Sequence, residues 1–83
     1  MKIFFVEDSE IMLGRLKREI SRIPTVEIVG DAGTPKEAIA LIEDKKPDLV
    51  LLDIRLRVGN GIDVLYNIKR QNAPPIVIVF TGY

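Results

Sequence analysis

Short, continuously apolar runs alternate along this chain with segments whose apolar residues recur every three or four positions. Ile3 to Val6 is such a run, and Asp8 or Ser9 then offers an N-cap for a stretch in which Met12, Leu16 and Ile20 are spaced by four. This pattern predicts a strand and then a helix reaching about Ile23, where Pro24 stops it. Val26 and Ile28 alternate with Glu27 and lead toward Gly30, which predicts a second strand dissolving into a glycine-containing loop. Thr34, Pro35 and Glu37 read as a capping box with proline at the first helical position, followed by the apolar stripe Ala38, Leu41 and Ile42. That helix is expected to end near Lys46, where cations suit the C-terminal dipole. Leu49 to Leu52 is uninterruptedly apolar, the pattern of a strand buried on both faces. Ile62, Leu65 and Ile68 mark a third helix beyond a glycine-containing loop, Pro74 and Pro75 break it, and Ile76 to Phe80 has the composition of a fourth buried strand.

Strand and helix therefore alternate from end to end, without internal repeat or linker. The class this implies is α/β: an open parallel sheet with three right-handed crossover helices distributed over both faces. At 83 residues the chain is one small domain or part of one, because domains commonly hold about 100 to 150 residues. Hydrophobic residues make up 47% of it, enough for a folded core though a thin one.

Charge and composition exclude more than they assign. Twelve Lys and Arg balance twelve Asp and Glu, so nothing advertises a nucleic-acid or membrane surface. The chain contains no Cys and no His, which removes disulfides, thiol chemistry, Cys/His zinc sites and imidazole acid-base catalysis. The apolar start meets Glu7 too early for the apolar region of a signal peptide, about 7 to 15 residues, and no stretch approaches the roughly 18 that a membrane helix needs. A cytoplasmic protein is the expectation, and any chemistry must use carboxylates, hydroxyls, amines or the backbone.

In open parallel sheets ligands bind beyond the carboxyl ends of the strands, where the winding direction reverses. The first strand delivers Glu7 and Asp8 there, the second Asp31, the third Asp53, and the fourth Thr81 and Gly82. In a flavodoxin-like order 2-1-3-4 the first and third strands are neighbours, so Glu7, Asp8 and Asp53 converge, Thr81 lies beyond Asp53, and Asp31 stays on the outer strand. Taken singly, each acid has an ordinary role as helix cap, partner of a helix dipole or opener of a turn. Taken together they repel, and at least one must hold a proton unless a cation sits among them. Oxygen ligands alone favour Mg²⁺; Ca²⁺ fits less well because the chain lacks an EF-hand loop pattern. A carboxylate at Asp53, next to a metal, the Thr81 hydroxyl and the Gly82 amide, would be a phosphoryl acceptor.

These residues resemble the receiver domain of bacterial two-component response regulators. The resemblance is carried by the acidic pair "ED" after the first strand, "PDLVLLDIRL" with its Asp, Gly61 eight residues later, and "VFTG" in the fourth strand. It implies that Asp53 accepts phosphate from a phosphohistidine on a sensor histidine kinase. It further implies that Glu7, Asp8, Asp53 and the backbone carbonyl of Arg55 hold Mg²⁺, and that Thr81 is the switch hydroxyl. Such a chain is a phosphoacceptor that at most phosphorylates itself, not a turnover enzyme.

Two departures accompany the resemblance. The family usually has Pro where Arg57 stands, expected to alter loop stiffness more than chemistry. It also has a fifth strand and two further helices, with a Lys and an aromatic that meet the phosphoryl group and the Thr; none of these is found here. On this reading residues 1–83 are the N-terminal part of a single receiver domain. Phosphorylation is then expected to be impaired, and nucleic acid to be met only through an effector domain absent from the chain. The fourth strand is expected at the sheet edge, and a homodimer is expected to form through it or a nearby apolar face. The competing functions are a non-catalytic homodimerisation module and an inactive receiver fragment. A haloacid dehalogenase-type phosphohydrolase is disfavoured because position 55 is Arg where a second Asp would be needed, and the glycine motifs of nucleotide-binding folds do not occur.

Overall fold

The computed structural model describes residues 1–80, which form β1 (Lys2–Val6), α1 (Glu10–Ile20), β2 (Glu27–Ala32), α2 (Pro35–Lys45), β3 (Leu49–Asp53), α3 (Gly61–Lys69) and β4 (Ile76–Phe80). All strands pair in parallel, in the order β2-β1-β3-β4. The expected α/β class and winding are both observed. Thr81 and Gly82 lie outside the described residues.

Local sequence explains the element ends. Ser9, not Asp8, caps α1, its hydroxyl accepting the Met12 N–H at 3.3 Å. The helix ends at Ile20 rather than Ile23, and the residues beyond it turn, with the Ile23 N–H on the Ile20 carbonyl at 3.0 Å. Thr34 caps α2 with Pro35 in its first turn and accepts the Glu37 N–H at 3.3 Å. Glu37 reaches back one residue further than a capping box requires, to the Gly33 N–H at 3.4 Å. Lys46 closes α2 in the left-handed conformation, φ 49°. β2 runs later than the alternation suggested, to Ala32, and its register with β1 shifts between Ile3 and Phe4.

Alternate residues of a strand point to opposite faces, so the sheet has two apolar faces. One is the main core: Phe4, Val6, Val50 and Leu52 are buried beneath Ala38 and Ile42 of α2 and Val64 and Ile68 of α3. The chain reverses direction after β2, so right-handed crossovers place α1 on the other face. There Ile3 and Phe5 are buried, yet α1 itself buries no residue completely. Leu49 and Leu51 are only partly buried, which corrects the expectation of a third strand covered on both faces.

Burial falls off steadily toward β4. Phe5, Leu51 and Ile78 are in register, and their exposure grades from none through partial to 49%. The edge position expected for the fourth strand is observed.

Candidate functional site

The register that aligns Val6 with Leu52 brings the end of β1 beside the end of β3. Glu7 follows Val6 and is fixed by its own N–H, which donates to the Ala32 carbonyl of β2 at 3.0 Å. Asp53 closes β3, anchored by the Ile54 N–H on the Phe80 carbonyl of β4 at 3.2 Å. Behind it, α3 begins so close that a Cβ on Gly61 would lie 2.6 Å from the Asp53 carbonyl oxygen and 2.7 Å from the Ile54 Cα. Only glycine permits that approach, and it sets how near the start of α3 stands to the acid.

Glu7, Asp8 and Asp53 each offer a carboxylate oxygen, and these oxygens lie within 4.8 Å of one another. Glu7 is 4% exposed and Asp53 3%, so the charge is concentrated where water screens it little. Each acid is oriented by one main-chain amide: Ser9 N–H donates to Glu7 Oε2 at 2.9 Å, Arg55 N–H to Asp53 Oδ1 at 2.9 Å, and Arg57 N–H to Asp8 Oδ2 at 2.5 Å. The second Glu7 oxygen, Oε1, is buried without a hydrogen-bond partner. Burial pushes the Glu7 carboxyl above its ordinary value of 4.5; the Ser9 amide opposes this, and the neighbouring Asp53 and Asp8 charges add to the rise.

A cavity of about 350 Å³ opens beside the cluster on the Glu7 and Asp8 side, lined by these two acids, Glu10, Asp31, Thr34 and Arg57 among others but not by Asp53. Asp31 faces this cavity but stands outside the cluster, its Oδ2 held by Lys17 Nζ at 2.6 Å. A larger groove of about 570 Å³, at the opposite end of the sheet, is lined by Pro47, Pro74 and Pro75. Its Asp48 is engaged by the Lys2 N–H at 2.7 Å, and no carboxylates converge there among the described residues.

The structure thus brings together the three acids that the strand ends were expected to deliver. The orienting amides were not foreseen, because any residue but proline carries one and no sequence signal distinguishes them. Arg57 shows this most clearly: the amide that a proline would lack binds a site carboxylate, so its effect goes beyond loop stiffness.

A doubly wound sheet with buried acids at its switch point defines a phosphoryl- or metal-handling α/β domain. The response regulator receiver domain family matches residues 3–83, and the chain belongs to that family. It is a receiver domain of two-component signalling. It is 40% identical over 81 residues, 98% of its length, to protein-glutamate methylesterase/protein-glutamine glutaminase 1 of Caulobacter vibrioides, of which it spans 24%. The response regulator domain of Thermotoga maritima CheB superposes with a TM-score of 0.88 at 34% identity, over 95% of this chain and 58% of that one. The response regulator MaeR, solved bound to beryllium trifluoride, gives 0.87 at 32% identity, over all of this chain and 68% of that one. No described helix is long and apolar enough to cross a membrane.

Proposed function

We propose that Asp53 is the phosphoacceptor of this receiver domain and that Glu7, Asp8 and Asp53, with the Arg55 backbone carbonyl, hold a Mg²⁺ ion. The observation that carries the reading is the buried, partnerless Oε1 of Glu7 inside a cluster of three carboxylates. Buried acids with only oxygen donors and one unsatisfied lone-pair site suit a small, hard divalent cation. When bound, Mg²⁺ would supply positive charge to the transferring phosphoryl oxygens and offset the repulsion of the acids.

Transfer itself is the work of Asp53. Its Oδ1 is held by the Arg55 amide, which leaves Oδ2 to attack phosphorus. The new bond joins that oxygen to phosphorus as the donor's bond to phosphorus breaks; the leaving imidazole or carboxylate takes the electron pair. Because Asp53 ends a strand packed against α3, its carboxylate is presented with little freedom, which lowers the entropic part of the barrier. The donor in the cell is a sensor histidine kinase. Thr81 is the switch hydroxyl, and the Gly82 amide meets a phosphoryl oxygen. Each chain accepts one phosphoryl group and does not turn over.

The test is incubation with acetyl phosphate and Mg²⁺ followed by intact mass. One phosphoryl group per chain is expected, lost on chelation and absent from Asp53→Asn. Labelling that persists in Asp53→Asn would overturn the assignment.

A second reading, homodimerisation through β4, is favoured by one observation: Ile76, Ile78 and Val79 are 63%, 49% and 40% exposed on the last strand of the sheet. The two readings separate on Mg²⁺ binding and Asp53 labelling, which a pure pairing module would lack.

A further inference from the structure

Of the three site acids, only Asp8 depends on a distant part of the chain for its orientation. Glu7 and Asp53 are held by amides two residues away, whereas Asp8 Oδ2 is held by the Arg57 amide, 49 residues on. That amide is set firmly from both sides. Leu56 is 9% exposed and belongs to the main core. Gly59, at φ +80°, lies so close to α2 that an added Cβ would be 2.6 Å from Pro35 Cγ. The Arg57 side chain is the opposite: 82% exposed, with Nε 4.0 Å from the same Asp8 oxygen. A fixed N–H and a loose guanidinium therefore converge on one carboxylate of the cluster.

We propose that Arg57 is an internal restraint on cation binding, which acts through Asp8 and not on the reacting atoms. This rests on the Mg²⁺ reading above. Without the cation, the clustered carboxylates repel, and donors on Asp8 relieve part of that repulsion. A cation entering the cluster draws on the same carboxylate charge. It must compete with the guanidinium and gains less from an oxygen that already accepts a short, charge-assisted bond. Coupling of this kind is reciprocal: whatever Arg57 contributes to the cation-free state is subtracted from the affinity for the cation.

The two parts of the residue can be separated. Arg57→Ala removes the guanidinium and keeps the N–H; Arg57→Pro removes both. Mg²⁺ affinity measured by titration calorimetry should rise about two- to fivefold in Arg57→Ala, the scale of an exposed ion pair. It should rise about tenfold in Arg57→Pro, the scale of a charge-assisted hydrogen bond. The gain in Arg57→Ala should fade with added salt, and the further gain in Arg57→Pro should persist in greater part, because screening acts on the separated, exposed guanidinium more than on a hydrogen bond in direct contact. Thermal unfolding provides the control for folding, and the rise in midpoint on adding Mg²⁺ should be largest for Arg57→Pro.

Affinity in Arg57→Pro equal to or below that of the wild type, in a chain that still unfolds cooperatively, would overturn the restraint. Equal affinity in Arg57→Ala and wild type would remove the side chain from it. Failure of the wild type and both variants to bind Mg²⁺ would instead sink the cation reading, and this inference with it.

Discussion

Glu7 is where the tension of this fold is greatest. Its carboxyl is buried, one oxygen lacks a partner, and its proton affinity is raised by burial and by the acids beside it. The folded chain consequently keeps this proton to a higher pH than the unfolded chain, whose carboxyl titrates near 4.5. Unfolding then releases a proton over that window, so the Glu7 contribution is fully present below pH 4.5 and is lost as pH rises through the raised value. In chelator, Glu7→Gln should melt higher than the wild type at neutral pH, and the two should converge in acid. Saturating Mg²⁺ should raise the wild type and leave the variant little changed. A wild-type advantage at neutral pH without metal would contradict this account of the site. Two glycines make an independent contrast. Gly61 faces the Asp53 backbone with no room for a methyl group, whereas nothing lies within 4 Å of a Cβ added to Gly14. Gly61→Ala should cost about 1–3 kcal/mol by overpacking. Gly14→Ala should stabilise by about 0.5–1 kcal/mol because it removes a glycine from a helix interior. Urea unfolding of both measures the difference.

Among the elements, α1 and β4 depart most from what their composition announced. The spacing of Met12, Leu16 and Ile20 is that of a core helix, yet α1 buries none of its residues fully and leaves Ile11 77% exposed. Ile76 to Phe80 reads as a central strand because every residue is apolar, yet it ends the sheet and only Val77 and Phe80 are partly buried. Periodicity tells which face of an element is apolar; it does not tell how much other chain covers that face. An apolar edge strand is a template for another strand, and β4 carries no charge, proline or bulge to deter pairing. Sedimentation should therefore show this chain as a dimer at high concentration. Ile78→Lys should shift it toward monomer while leaving Mg²⁺ binding intact, since Ile78 pairs with Leu51 rather than with a site acid and its side chain is 49% exposed. A clean monomer for the wild-type chain would refute pairing through β4.

For the whole molecule, apolar runs, caps and alternation sufficed to specify strands, helices, parallel pairing and the class of fold, because each rests on local periodicity and chain handedness. The three acids were legible too: a strand ends where its apolar run ends, and a doubly wound sheet gathers such ends at one edge. What only the tertiary structure decided was everything that depends on coverage and on the backbone. Within β2 the register slips against β1 between Ile28 and Gly30, a pairing property that β2's own sequence does not carry. The second face of the sheet is half open because, among the described residues, α1 is the one helix over it. Asp8, an acid of the type that caps helices, joins the carboxylate cluster because Ser9 takes the cap and the Arg57 amide takes its carboxylate. Side-chain chemistry is written in the residue letters, whereas an amide is common to all residues but proline. Which amide meets which acid is settled only when segments far apart in the chain are packed side by side.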